Sequence, residues 1–150
     1  MPRLTPLLAA LLALGCGPAA ARAVDAPAPT RPAATLDACR VDGEPGGPSL
    51  TATGALPAAA DLPGATLQLR FVLLARRPGE PELIPVDAGD PAWVRSAPGA
   101  AGLVWSRTFD GLAVPATYRV RIRMRWVSGG RVARVTTRTT TACRQPAPTP

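Results

Sequence analysis

The chain has 150 residues, of which 47% are apolar, and its basic residues are 17 arginines set against 10 acidic residues. It contains no lysine, asparagine or histidine. The length fits about one domain, and because 29 residues are alanine the core must be modest. The missing histidine removes the commonest general base and a principal zinc ligand, so we expect no enzyme, no metal site and no cofactor.

Residues 1–23 have the pattern of a secretory signal peptide. The apolar run Leu4–Leu14 follows a positive N-terminus, and Ala21-Arg22-Ala23 offers a small-residue cleavage site before Val24. The run is too short for an ordinary transmembrane helix. The pattern predicts a secreted, extracellular protein.

An alternative stays open for this leader. Ala13-Leu14-Gly15-Cys16 resembles a permissive bacterial lipobox, which would end the signal at residue 15 and leave Cys16 to be lipidated. The protein would then be lipid-anchored at the cell surface, and this anchor would be its contact with the membrane.

The rest of the chain divides by composition. Residues 24–35 are rich in Ala and Pro and predict a disordered linker, residues 36–144 form the domain, and residues 145–150 are a Pro-rich tail. Cys39 and Cys143 remain in the exported domain, and an even pair in an oxidising compartment predicts a disulfide. A bridge that closes a loop of about a hundred residues contributes roughly 4–5 kcal/mol by chain entropy.

Apolar alternation of the strand type recurs along the domain, and no convincing helical stretch interrupts it. We predict an all-β sandwich of about seven strands. The expected strands are Ser49–Thr53, Ala65–Arg76, Glu82–Val86, Ala92–Arg95, Leu103–Phe109, Thr117–Val127 and Arg131–Ala142.

The last two strands are predicted to form a hairpin. Gly129-Gly130 fits a two-residue turn, because both glycines tolerate a positive φ. The turn predicts that Val127 lies opposite Val132, Arg125 opposite Arg134, and Arg121 opposite Arg138. One face of the hairpin then carries Tyr118, Val120, Ile122, Met124 and Trp126, beside Ala133 and Val135.

The other face of the hairpin is predicted to be rich in arginine. It carries Arg119, Arg121, Arg123, Arg125, Arg134 and Arg138. Arginines directly opposite each other repel. Two interpretations follow. The face is either a solvated surface, whose arginines reflect the codon composition of a high-GC genome, or a binding surface for an anionic wall polymer or another acidic partner. Nucleic acid is disfavoured, because Tyr118 and Trp126 point to the opposite face and leave no stacking platform.

The three tryptophans divide between the core and the surface. Trp105 and Trp126 fit the buried alternation, whereas Trp93 lies in a loop-like region and is the candidate contact residue.

The segment from Gly111 to Ile122 resembles the entry to the sixth strand of fibronectin type III and related immunoglobulin-like domains. The resemblance implies that Tyr118 is a tyrosine corner, with its hydroxyl bonded to backbone a few residues upstream and Leu112 packed beneath it. More broadly, the region from Cys39 to Cys143 resembles exported immunoglobulin-like domains of high-GC bacteria. A disulfide between the first and last strands departs from the bridge of antibody domains.

This architecture hosts many functions, so the resemblance says little about the activity. The sequence favours a non-enzymatic exported structural or protein-interaction module of unknown partner. The alternative is a module that binds a polyanion or cell-wall polymer through the arginine-rich sheet face.

Overall fold

The computed structural model describes residues 27–88 and 91–148, and these residues form nine strands and no helix. The strands are β1 (Ala33–Arg40), β2 (Ser49–Pro57), β3 (Thr66–Arg76), β4 (Ile84–Pro85), β5 (Val94–Arg95), β6 (Gly102–Asp110), β7 (Ala116–Ser128), β8 (Arg131–Thr139) and β9 (Cys143–Gln145). Within this part of the chain, no helix is long and apolar enough to cross a membrane.

The strands form two antiparallel sheets. The smaller sheet has the order β1-β2-β6, and the larger has the order β4-β3-β7-β8, with β5 paired to β3 and β9 paired to β7. The predicted all-β sandwich is therefore confirmed, although the first predicted strand is in fact the second.

The core lies between the two sheets, because alternate residues of each long strand point to the same side. β3 and β7 pair along their whole length and contribute the largest share of it. The buried side chains of these two strands and of β2 include Leu50, Leu56, Leu67, Leu69, Phe71, Val120, Ile122 and Met124.

Gly54 of β2 sets how closely the sheets approach. A Cβ atom at this position would lie 3.2 Å from carbon atoms of both Ile122 and Leu69 on the opposite sheet. The missing side chain lets β2 pack directly onto β3 and β7.

The predicted hairpin turn is confirmed, but most of its predicted register is wrong. Gly129 and Gly130 have φ values of 56° and 76°, and Val127 lies opposite Val132. Beyond that pair, β8 contains a bulge at Ala133, so that Arg134 lies opposite Trp126. One extra residue moves every following side chain of β8 to the other face of the sheet.

The N-terminal boundary of the domain lies earlier than predicted. β1 begins at Ala33, three residues inside the predicted linker, because its pairing with β2 continues back to Ala55. Pro29 also lies against Gly102, where any side chain would overlap its ring. The predicted signal peptide and Cys16 lie outside the described residues.

A disulfide joins Cys39 of β1 to Cys143 of β9, as predicted, with 5.5 Å between the Cα atoms. Because β1 and β9 belong to different sheets, the bond links the two layers as well as the two ends of the domain. The expected bond of Tyr118 is also present, since its hydroxyl donates to the Ala113 carbonyl oxygen at 2.9 Å. Leu112 is buried beside it.

Replacing Cys39 and Cys143 together by Ser should lower the free energy of unfolding by about 2–5 kcal/mol, because the unfolded chain regains the entropy of an open loop of 104 residues. Urea denaturation without reductant measures this change. The wild type with reductant is the control, and its midpoint should fall toward that of the double variant. A double variant as stable as the wild type would contradict the stapled sandwich.

Gly54→Val should destabilise the domain by about 1–3 kcal/mol, because the added methyl groups force the sheets apart. Ala55→Val, one residue along the same strand on its outer face, is the matched control and should change stability by less than about 0.5 kcal/mol. Thermal unfolding of both variants checks the pair. Equal losses would mean that the close approach at Gly54 does not determine the packing.

Candidate functional site

Six arginines are among the side chains that point away from the core on one face of the larger sheet. Strand alternation places them there, because their neighbours in sequence fill the core. We call this surface the arginine face; it consists of Arg119, Arg121, Arg123 and Arg125 on β7, Arg70 on β3 and Arg95 on β5.

Two of the predicted members do not belong to this face. The bulge at Ala133 places Arg134 and Arg138 opposite Trp126 and Ile122, on the core side of the sheet. The Arg134 guanidinium lies 5.4 Å from the centroid of the Trp126 ring and forms a 2.6 Å ion pair with Asp61. The predicted arginine pairs across the hairpin are therefore absent.

The β8 residues that do border the arginine face are uncharged. Val135 lies opposite Arg125, Thr137 opposite Arg123 and Thr139 opposite Arg121. The positive charge is thus concentrated on β7 and on its other neighbour, β3.

The four β7 arginines of this surface have no carboxylate beside them in the described part of the chain. Arg119 and Arg123 are exposed, while Arg121 and Arg125 are half-buried. Within residues 27–88 and 91–148, no carboxylate lies within 4.0 Å of these four guanidinium groups. The four charges therefore lie in a row along the strand without a neighbouring carboxylate among the described residues.

At the β5 end, the arginines gather around one aromatic ring. Arg95, Gln68 and Arg125 form a row across β5, β3 and β7, and Arg70 and Arg123 form the next row. The ring of Trp93, the residue before Val94, lies 3.7 Å from the Arg125 guanidinium carbon and 6.0 Å from that of Arg70. Trp93, the predicted contact residue, is thus half-buried among the arginines.

The positive charges at this end of the face repel one another. Burial, together with the neighbouring charges of Arg95, Arg123 and Arg70, lowers the pKa of Arg125. Arg70 and Arg123 lie directly opposite each other on adjacent strands. Like charges in this position disfavour the folded sheet, and an anion beside Arg125 would offset the repulsion that this side chain experiences.

Two members of this face, Arg70 and Arg95, were not predicted from the sequence. The alternation along β3 already places Arg70 on the other face of the strand from Leu69 and Phe71, so its position could have been predicted from the sequence. Arg95 could not be placed, because its position depends on the pairing of a two-residue strand with β3, which no local pattern reveals.

The prediction that Trp105 is buried is wrong, since 51% of it is exposed. The alternation along β6 does place Trp105 on the core side of the smaller sheet, where it pairs with Gly54 of β2. It remains exposed because β6 is an edge strand of the smaller sheet.

The described residues contain no group of three or more His, Cys, Asp or Glu side chains that could hold a metal ion. Comparison of the chain with protein-family models, with curated proteins and with solved structures gave no match.

Arg123→Gln should stabilise the domain by a few tenths of a kcal/mol at low salt, because it removes a like-charge pair with Arg70. Salt screens such repulsion, so the gain should shrink at high ionic strength. Urea denaturation at the two salt concentrations measures both effects. Arg138→Gln, on the other side of the sheet, is the matched control; an equal gain there would mean that net charge, not this pair, is responsible.

Proposed function

We propose that the domain is a non-enzymatic binding module of an exported protein, and that its ligand is an anionic polymer lying on the arginine face. The observation that carries this proposal is the row of four β7 arginines, which have no carboxylate partner among the described residues. Complementary charge attracts such a ligand from a distance and holds it at the surface.

The shape of the row favours a linear ligand. Alternate residues of a strand lie about 6.8 Å apart, so the four guanidinium groups are anchored along about 20 Å of β7. A polymer that carries regularly spaced phosphate or sulfate groups can meet several of them at once. A small anion meets one or two, and gains correspondingly less.

The aromatic residues argue for a polymer without bases. Of those in the described chain, Phe71, Phe109, Tyr118 and Trp126 are buried in the core, and Trp105 belongs to the other sheet. Trp93 is left as the one ring on the arginine face, and it is already stacked on Arg125. Single-stranded nucleic acid is typically held by a series of stacked bases, which this surface does not offer.

Export and family membership are parts of the same proposal. The leader at residues 1–23 and the disulfide support an extracellular site of action, either secreted or lipid-anchored through Cys16. The Tyr118 hydrogen bond and the packing of two sheets support an immunoglobulin-like or fibronectin type III-like domain.

A protein partner is the second candidate, and the edge strand β8 favours it. Among the described strands β8 pairs with β7 alone, and Val132 and Val135 are 48% and 51% exposed. An added strand could pair with its free edge. Contacts of this kind depend on backbone hydrogen bonds, so they would tolerate salt better than a polyanion on the arginine face.

Dextran sulfate should bind the purified protein, and its Kd should rise roughly 50-fold between about 50 and 200 mM salt if four charges are neutralised. Isothermal titration measures both values, with uncharged dextran as the ligand control. The double variant Arg121→Gln/Arg123→Gln should halve the salt slope, because two of four contacts are lost.

Arg131→Gln/Arg138→Gln is the matched double variant, since it removes the same charge from the other side of the sheet. It should retain most of the affinity and the full slope. Equal losses in the two variants, or equal binding of uncharged dextran, would contradict the proposal.

A further inference from the structure

The arginine face is not uniform along its length. Arg119, near one end of β7, is exposed, and its guanidinium makes no hydrogen bond to any described residue. Arg125, toward the other end, is half-buried and held on two sides. The two positions therefore present the same charge with very different freedom.

Two neighbours fix the Arg125 guanidinium. Its Nε donates a 2.8 Å hydrogen bond to Oε1 of Gln68, a residue that is only 5% exposed. Its planar group also lies 3.7 Å from the centroid of the Trp93 ring. The side chain loses its rotamer freedom on folding, so a ligand need not order it again on binding.

The remaining donors of Arg125 are available. Within the described residues, the bond from Nε to Gln68 is its one side-chain hydrogen bond, which leaves the terminal amino groups for an acceptor. Arg95 lies two strands away in the same row, and Arg123 is the next residue along the same face of β7. A single oxyanion beside Arg125 would therefore interact with three positive charges.

We infer that Arg125, held by Gln68 and Trp93 and flanked by Arg95 and Arg123, is the anchor that binds one phosphate or sulfate group of the polymer. Arg119 and Arg121 then supply general attraction along the strand. This inference rests on the proposed function. It adds that the polymer is bound at a fixed point, with a tetrahedral oxyanion as the recognised group.

Substitutions at the anchor can separate the effect of side-chain geometry on binding from the effect of charge. A planar guanidinium offers two parallel N–H donors to an oxyanion and stacks on an aromatic ring, whereas an ammonium does neither in the same way. Trp93 carries no charge, so its removal should weaken binding without changing the number of charges that are neutralised.

The test measures the Kd of poly(glycerol phosphate) and of dextran sulfate at three salt concentrations for the wild type and four variants. Arg125→Gln should weaken binding about tenfold, as expected for a lost charge-assisted hydrogen bond. Arg119→Gln, which removes the same charge from an exposed position, should weaken it about twofold. A preference for one polymer distinguishes a phosphate from a sulfate ligand.

Two further variants test the geometry. Arg125→Lys keeps the charge and should still lose about fivefold, because it lacks the planar fork. Trp93→Leu should lose about threefold with an unchanged salt slope. Urea midpoints verify that each variant is folded. If Arg125→Gln does not fold, Arg125→Lys still tests the anchor.

The outcomes separate the anchor from the function. If the wild type binds neither polymer at low salt, the proposed function is wrong, and the anchor with it. If the wild type binds but Arg125→Gln and Arg125→Lys remain within twofold of Arg119→Gln, and Trp93→Leu binds as tightly as the wild type, the function stands and the anchor inference is overturned.

Discussion

The alternation of β7 is the constraint on which the rest of the structure depends. Its even-numbered residues from Ala116 to Trp126 are buried in the core, so its odd-numbered residues must point to the other side of the sheet. Four of those are arginine. Hydrophobic burial on one face thus holds like charges in a row on the other, and the disulfide between β1 and β9 adds stability to a small core.

Much of this could be predicted from the sequence, because it depends on local periodicity. The long strands β3 and β7, the Gly129-Gly130 turn and the disulfide all leave direct signals in the chain. The bulge at Ala133 does not, since a bulged residue looks like any other in an alternating strand. That one residue moves Arg134 and Arg138 off the face, which is why the candidate site could be predicted only in part.

The anchor around Trp93 could not be predicted from local sequence patterns either. Trp93 could be recognised as a candidate contact residue, but the arginines at its ring, Arg70 of β3 and Arg125 of β7, come from two strands that are distant from it in sequence. Pairing of β5 with β3 brings Arg95 and Trp93 beside Gln68, and pairing of β3 with β7 adds Arg125. A buried glutamine that holds an arginine against a ring is a tertiary feature, and it gives one position on the face a defined geometry.

The most direct test of the account is the map of chemical-shift changes when a linear polyanion is titrated into ¹⁵N-labelled protein. The account predicts that the affected arginine Nε signals are those of the arginine face, with Arg125 the most strongly shifted, and that Arg131, Arg134 and Arg138 remain unchanged. Shifts centred on the β8 arginines, or spread evenly over both sides of the sheet, would contradict it.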